Sequence, residues 1–267
     1  MTANEMPYWH VDAFAARAFG GNQAAVIVLE DWLADDVLLA IAAENMFAET
    51  AFLVRDDSGV ANWKLRWFMP ELEVELCGHA TLASGHVLLT RDGGERVTFA
   101  TREAGVLEVR RSEAGYELGL PAIRTSASSF DEVAALLGGD VLDVARNEGG
   151  YNIFRYGSEA AIRALTPDFR ELATYGTDQF ICTAKGETVE VVSRVFLPGS
   201  GLNEDSATGS AHAALTCFWA ERLGRDSFTA HQASTRGADF TCRLEGDRAW
   251  LGGPCVTVVE GMFYLSG

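Results

Sequence analysis

Two short motifs in the chain combine glycine with polar and small residues in a pattern that can bind an anion. They are Cys77-Gly78-His79-Ala80-Thr81 and Thr208-Gly209-Ser210-Ala211-His212. Each opens an apolar run typical of a buried helix, whose first N–H groups have no acceptor within the helix and attract carboxylate or phosphate. The small residues could instead serve only close helix packing, but their occurrence twice favours an anion site. We therefore predict a small anionic substrate, with these binding residues: Gly78, Ala80, Thr208 and Gly209.

Glu49 is the candidate acid/base. It precedes a predicted strand over residues 50–54, and alternation places it on the face of Ala51 and Leu53. A carboxylate among apolar side chains is either exposed at a loop edge or buried, and exposure is the commoner case for a single glutamate. Burial would disfavour its charged form and suit it to acid/base catalysis near neutral pH.

Other polar candidates lie close to the two motifs. Asp205 precedes the second motif, where it either lines a site or complements the dipole of a helix start. His79 is either a site residue or a histidine satisfied by backbone groups. His86 and His212 lie deeper in their apolar runs, so we interpret them as structural.

Cys77 supports a rival mechanism. Cofactor-independent racemases place one thiol at each of two helix starts, and Cys77-Gly78-His79 is similar to the first such motif of proline racemases. When their second motif is aligned on Thr208-Gly209, its cysteine position holds Ser206 here. A serine hydroxyl is too weak an acid to serve unaided as that base, so a two-thiol mechanism is disfavoured.

Composition limits the class of protein. The 267 residues are 48% hydrophobic, which is ample for a packed core, and the net charge of −17 argues against a nucleic-acid-binding surface. The five cysteines share no CxxC spacing, so neither a metal site nor a disulfide framework is indicated. With no signal-like segment and no bilayer-length apolar run, we expect a cytoplasmic protein without membrane partners.

The chain repeats its landmarks in order. Arg66-Trp67-Phe68-Met69-Pro70 returns as Arg194-Val195-Phe196-Leu197-Pro198, and a glycine motif with an apolar run follows each copy. Such ordered repetition indicates duplication. We predict two domains, residues 1–125 and 126–267, with the last residues able to return to the first half.

Each predicted half contains short strands around one apolar helix, which begins at Gly78 in the first half and at Gly209 in the second. A mostly antiparallel sheet curled around a central helix, occurring twice, is an α+β fold with two pseudo-symmetric halves. A cleft between two such halves is a natural location for a small-molecule site.

Five signatures occur in the order found in the phenazine-biosynthesis (PhzF-like) isomerases, which the chain resembles from residue 9 or so to its C-terminus. These are Val11-Asp12-Ala13-Phe14 with Phe19-Gly20-Gly21-Asn22, Glu49-Thr50-Ala51-Phe52, Leu65-Arg66-Trp67-Phe68, Leu76-Cys77-Gly78-His79-Ala80-Thr81, and Asp205 to Ala211. The resemblance implies the diaminopimelate-epimerase-like fold, in agreement with the duplication.

The resemblance also implies how the site works. It assigns Glu49 as the acid/base that shifts a proton on a cyclic or amino-acid-like substrate, while His79, Asp205 and Ser210 line the site. It further implies no cofactor, no metal and a homodimer. Ser206 stands where the family usually has proline, so the shape of the active-site loop differs from the family pattern.

The main hypothesis is therefore a cofactor-independent isomerase (EC 5) of phenazine-biosynthesis type. Two others stay open, an epimerase, racemase or dehydratase using Cys77, and a non-catalytic protein that binds a small ligand. The joint presence of Glu49, His79, Asp205 and Ser210 favours catalysis, because a site that only binds has no need of an acid/base.

Overall fold

Eighteen strands and six α-helices form along residues 5–265, the part of the chain that the computed structural model describes. The strands are β1 (Glu5–Ala13), β2 (Asn22–Val28), β3 (Glu49–Arg55), β4 (Trp63–Phe68), β5 (Glu73–Val74), β6 (Arg96–Ala100), β7 (Val106–Ser112), β8 (Gly115–Pro121), β9 (Ser126–Ser128), β10 (Val141–Arg146), β11 (Tyr151–Tyr156), β12 (Gln179–Lys185), β13 (Val191–Leu197), β14 (Leu202–Glu204), β15 (Ser227–Gln232), β16 (Ala238–Glu245), β17 (Arg248–Gly253) and β18 (Cys255–Tyr264). The helices are α1 (Asp35–Asn45), α2 (Gly78–Asp92), α3 (Asp131–Leu137), α4 (Glu159–Arg163), α5 (Phe169–Leu172) and α6 (Gly209–Leu223).

The chain folds into two compact units. The first comprises residues up to Leu120 together with those from Gly252 onward, and the second spans Pro121–Leu251. The first boundary lies at Leu120/Pro121, a few residues before the 125/126 boundary of the sequence-based prediction, and the last strand belongs to the first unit, a return that this prediction allows for the last residues. There β18 pairs antiparallel with β1 along its whole length.

The sheet of the first unit is mostly antiparallel. β1 lies between β18 and β2, and antiparallel pairs also join β3 to β4, β6 to β7 and β7 to β8. Parallel pairs join β2 to β3 and β4 to β6. Because α2 contacts β1, β2 and β3 as well as β6 and β7, this sheet wraps around the helix.

The second unit repeats this order of pairings. Antiparallel pairs join β10 to β11, β12 to β13 and β15 to β16, while parallel pairs join β11 to β12 and β13 to β15. β9 flanks β10 as β18 flanks β1. α6 takes the place of α2 and contacts β11, β15 and β16. The topology of each unit thus carries the duplication that the sequence predicts.

Both central helices are buried because they carry apolar or small residues on nearly every side. In α2 only four of fifteen residues escape burial, so the helix has no continuous solvent face. Gly85 permits this packing, since a Cβ there would overlap the side chain of Val109 in β7. Within residues 5–265, none of the helices has the length and apolarity needed to cross a bilayer.

Candidate active site

Glu49 and His79 form a close pair in the first unit. Glu49 is the first residue of β3 and His79 the second residue of α2. Nε2 of His79 lies 3.0 Å from Oε2 of Glu49, and the side chains are 5% and 15% exposed. Of the two sequence-based alternatives for Glu49, the structure therefore shows the mostly buried one. Apart from this ion pair, Oε2 accepts no hydrogen bond of good geometry from the described residues.

Asn22 contacts Nδ1 of His79, the ring nitrogen that is not paired with Glu49. It begins β2, and its side chain is buried. Its Oδ1 accepts the N–H of Gln23 at 3.0 Å, which leaves Nδ2 3.3 Å from Nδ1 of His79. Because an amide nitrogen only donates, Nδ1 of a neutral His79 accepts, and the ring proton lies on Nε2 facing Glu49.

The surroundings of this pair raise the pKa values of His79 and Cys77. Burial by itself lowers the pKa of His79, but hydrogen bonding to Cys77 and Glu49, together with the charge of Glu49, outweighs it, so this pKa lies well above the ordinary histidine value. Burial, and after it the charge of Glu49, raise the pKa of Cys77 to about 11. The Cys77 thiol, 3.6 Å from Nδ1 of His79, is therefore protonated near neutral pH and is a poor base there.

The same cluster has the donor types of a metal site. Glu49, Cys77 and His79 bring one possible ligand atom each within 4.8 Å of one another. Zinc binds nitrogen, oxygen and sulfur donors of this kind, taking sulfur as thiolate. In the structure these side chains are joined by the ion pair between Glu49 and His79 and by the contact of the Cys77 sulfur with the imidazole.

The start of α2 presents backbone donors close to this pair. Cys77 is the N-cap, in extended conformation, and its side chain makes no capping hydrogen bond. The N–H of Thr81 is the donor that closes the first helical turn, to the carbonyl of Cys77 at 3.3 Å. The predicted binding residues Gly78 and Ala80 both lie in this first turn, where N–H groups have no acceptor within the helix.

Asp205 holds the loop that leads into α6. Its Oδ1 accepts the N–H of Ser206 at 2.8 Å, and its Oδ2 accepts the hydroxyl of Thr208 at 2.6 Å. Fully buried Gln232 of β15 accepts the N–H of Thr208 at 2.8 Å and donates to the carbonyl of Asp205 at 2.7 Å. Proline has no N–H, so the Ser206 bond is one that the proline expected at this position could not make.

Ser210, which follows Gly209 at the start of α6, contacts the first residue of β12, Gln179. Nε2 of Gln179 donates to Oγ of Ser210 at 3.2 Å, and the same Oγ lies 3.4 Å from Oε1. Tyr151 is the neighbour of Gln179 on β11, and burial raises the pKa of its phenol. These three polar side chains are half-buried.

The structure brings the predicted site residues together in two groups. The group of the first unit consists of Glu49, Gly78, His79 and Ala80. The group of the second unit consists of Asp205, Thr208, Gly209 and Ser210. Sequence reasoning missed Asn22, Gln179 and Gln232. Gln179 could have been found by aligning the repeats, because it begins β12 as Glu49 begins β3, whereas no sequence pattern marks Gln232.

The model of one protein family, described as phenazine biosynthesis-like protein, matches residues 11–261. An uncharacterized isomerase of Pseudomonas aeruginosa is 42% identical over 265 residues, which is 98% of this chain and 100% of that protein. The match confirms the family resemblance that the five sequence signatures predict.

Solved structures confirm the predicted fold class. A phenazine biosynthesis protein of the PhzF family from Enterococcus faecalis superposes with a TM-score of 0.91 at 38% identity, covering 98% of this chain and 100% of that one. A hydroxyproline epimerase from Agrobacterium vitis superposes with a TM-score of 0.59 at 13% identity, covering 100% of this chain and 94% of that one. The second similarity shows the fold alone.

Proposed function

Because this chain belongs to the phenazine biosynthesis-like protein family, we propose that it is an isomerase in which Glu49 moves a proton on a small anionic substrate. One observation carries the proposal. Oε2 of Glu49 is buried and lies 3.0 Å from Nε2 of His79, and no other hydrogen bond to it occurs among the described residues. A carboxylate has further lone pairs, so Glu49 can pair with His79 and still accept the substrate's proton.

The proposed reaction begins with an ionised Glu49. This carboxylate takes a proton from a carbon next to a conjugated or carbonyl-activated group, and the electron pair of the broken C–H bond enters that group. The protonated Glu49 then returns the proton to a different carbon. Substrate and product therefore have the same composition, and the step needs no oxidant or reductant.

His79 prepares Glu49 for the first of these steps. A proton on Nε2 that faces the carboxylate stabilises its charged form, which is the form able to accept a proton. Asn22 contributes by occupying Nδ1 of the same ring. General acid/base catalysis of this kind contributes roughly 10²–10⁴ in rate.

Backbone donors supply the second requirement, stabilisation of the negative charge that forms on the substrate. The N–H of Gly78 at the start of α2 is a preorganised donor of this type, and such donors need no reorganisation during the reaction. We assign binding and orientation of the substrate to the second group of predicted residues, Asp205, Thr208, Gly209 and Ser210.

The family resemblance extends the proposal to the setting of the enzyme. It implies a cofactor-independent homodimer that acts in a biosynthetic pathway, and the composition is that of a cytoplasmic protein. Sedimentation equilibrium tests the dimer, for which the expected mass is twice the 28.8 kDa of one chain.

Two alternatives differ from the proposal in measurable ways. An epimerase, racemase or dehydratase using Cys77 would require a thiolate, and the raised pKa of Cys77 disfavours it. A protein that only binds a ligand would show binding without proton exchange at carbon.

The proposal is tested by a screen for carbon-bound hydrogen exchange in heavy water. Small cyclic carboxylic acids and amino acids are incubated with the protein, and proton NMR follows the loss of individual C–H signals. We expect at least one compound to exchange, and we expect the Glu49→Gln protein to bind that compound in calorimetry with similar affinity. If no acid in the collection exchanges, proton transfer is not supported, and if one binds without exchanging, the ligand-binding alternative is supported.

Glu44→Gln is the matched control. It makes the same chemical change at an exposed glutamate in α1, five residues from Glu49. Because it leaves the pair with His79 intact, it should exchange the substrate at the wild-type rate. Equal loss in both variants would show that net charge, and not Glu49 itself, is responsible.

A further inference from the structure

The pair of Glu49 and His79 has a structural counterpart in the second unit. Glu49 begins β3 and Gln179 begins β12, and each of these strands runs parallel to the strand before it and antiparallel to the strand after it. α2 and α6 are both fifteen-residue helices, with His79 and Ser210 as their second residues. Gln179 and Ser210 therefore occupy the positions of Glu49 and His79 within their own unit.

In both units the strand start contacts the helix start, but the side chains that make the contact differ. The first unit has an ion pair of 3.0 Å, and the second has an amide donating to a hydroxyl at 3.2 Å. Glutamate and histidine both exchange protons readily, whereas an amide does not titrate and a serine hydroxyl is a very weak acid. Acid/base chemistry is thus available from one pair only, and hydrogen bonding from the other.

Gln179 is held firmly by its backbone while its side chain stays accessible. Its N–H donates to the carbonyl of Gly150 at 2.8 Å, and its carbonyl accepts Nδ2 of Asn152 at 3.3 Å. Asn152 is fully buried and also donates to Asp178 at 3.0 Å. The Gln179 side chain is only half-buried. A fixed backbone that presents a reachable polar group is what a binding residue requires.

The shorter of the two contacts between Gln179 and Ser210 indicates which of their polar groups are left to bind a ligand. Nε2 of Gln179 is 3.2 Å from Oγ of Ser210, while Oε1 is 3.4 Å from it. When Nε2 donates to Oγ, the serine proton and the second amide proton can both point to another acceptor. The two side chains then offer two neutral donors, which suit the two oxygens of a carboxylate.

We propose that Gln179 is a substrate-binding residue that, together with Ser210, donates hydrogen bonds to a carboxylate of the substrate. The charge of that substrate rests on the proposed function. The amide then determines specificity, because a glutamate at this position would repel an anionic substrate and compete for the serine proton.

The direct test follows the side-chain amide signal of Gln179 in ¹⁵N-labelled protein. The signal is assigned by its absence from the spectrum of the Gln179→Met variant. Benzoate is the probe, and benzamide, which has the same shape but no charge, is its matched control. We expect benzoate to shift the signal and benzamide to leave it in place. A signal that benzoate does not move up to its solubility limit, or that both compounds move equally, overturns the proposal.

Two variants measure the contribution of the pair. Ser210→Ala should weaken benzoate binding by about tenfold, because one donor to the carboxylate is lost. Ser227→Ala makes the same change at an exposed serine of β15 and should leave binding unchanged. Affinity for benzoate that is equal in wild type and Ser210→Ala contradicts the proposal.

Kinetics separate this role from a structural one. With any compound that the exchange screen identifies, Gln179→Glu should raise KM by about tenfold or more while kcat changes less. A fall in kcat at constant KM overturns the assignment of binding to Gln179. If the screen identifies no compound, the proposed function has failed, and the benzoate experiment still decides whether Gln179 binds a carboxylate.

Discussion

Three side chains around Glu49 contribute separately to its capacity as a base. His79 places an N–H toward the carboxylate, and Asn22 occupies the other nitrogen of that ring. Cys77 lies in contact with the same ring but keeps its proton, because burial raises its pKa to about 11. Near neutral pH, Cys77 is therefore not the base of this cluster.

The titration of His79 should depend on Glu49. In the wild-type protein we expect a pKa well above the ordinary value, since the neighbouring negative charge outweighs burial. In Glu49→Gln that charge is removed while burial and the contact with Cys77 remain, so the pKa of His79 should fall relative to the wild-type value. ¹⁵N NMR of the imidazole nitrogens across pH measures both. A His79 pKa that is equal in the two proteins would show that Glu49 is not its charge partner.

The raised pKa of His79 also predicts how the stability difference between wild type and Glu49→Gln changes with pH. A raised pKa means that the native state holds the His79 proton more tightly than the unfolded chain does. The resulting stabilisation is complete below the unfolded pKa of about 6.5 and is lost as pH rises through the folded pKa. The difference in unfolding free energy between wild type and Glu49→Gln should therefore shrink from pH 6.5 upward. Urea denaturation at several pH values measures it, and a difference that grows over this range contradicts the assignment.

Cys77 should be dispensable for proton transfer. Its thiol is protonated at neutral pH, so Cys77→Ala should keep most of the exchange activity, with a modest loss from altered packing beside His79. Removing a true acid/base would instead cost roughly 10²–10⁴ in rate. Cys217→Ala, a change at a half-buried thiol of α6, is the matched control. A rate loss of roughly 10²–10⁴ in Cys77→Ala but not in Cys217→Ala would support the thiol-dependent alternative.

At the scale of elements, the sequence predicts the central helices and most strands well. The second helix begins at Gly209 as predicted and runs to Leu223, because its apolar residues lie on nearly every side. β10 is missed because Asp143 interrupts its apolar pattern, and the structure shows why the charge is tolerated. It lies opposite Arg155 of β11 and forms an ion pair with it. α4 is missed because five residues are too few for a periodic pattern.

The site elements show where prediction from sequence ends. The motifs identify Glu49 and His79, but nothing in the sequence indicates that Asn22 contacts His79 across 57 residues of chain. Gln232 is similar, since it reaches the Thr208 loop from a strand that follows α6. Such contacts depend on the register of neighbouring strands, which composition and periodicity do not specify.

Gly85 should be needed for the close packing of α2 against its sheet. Gly85→Ala adds a methyl group that overlaps Val109, which costs about 1–3 kcal/mol of overpacking and exceeds a helix-propensity gain of about 1 kcal/mol. Thermal or urea unfolding should therefore show net destabilisation. In a Val109→Ala background the overlap is relieved, so the same change should be neutral or stabilising. Equal effects in both backgrounds would contradict the packing explanation.

At the scale of the whole chain, duplication explains why each unit has a helix start and a strand start in contact. The two copies have diverged in the side chains at these positions, to Glu49 and His79 in one unit and to Gln179 and Ser210 in the other. The last strand, β18, belongs to the first unit although it comes after the second in sequence. The first and last strands, β1 and β18, therefore pair in one sheet.

Removing β18 should unfold the first unit. A chain that ends at Pro254 leaves β1 without one of its two antiparallel partners and exposes a long strand edge, which promotes aggregation. We expect insoluble protein or loss of the cooperative thermal transition. Val259→Thr, which changes an exposed residue of β18 and retains a strand-forming side chain, is the control and should unfold as wild type does. A truncated protein with wild-type stability would show that β18 is dispensable.

The most direct test of proton transfer by Glu49 is the rate of deuterium incorporation from heavy water into the substrate found by the exchange screen. Mass spectrometry compares wild type with Glu49→Gln at saturating substrate, after NMR has shown that the fold of the variant is intact. We predict at least about a 10²-fold lower rate in the variant, because an amide cannot accept the carbon-bound proton. Incorporation by Glu49→Gln at the wild-type rate would contradict the assignment of Glu49 as the acid/base.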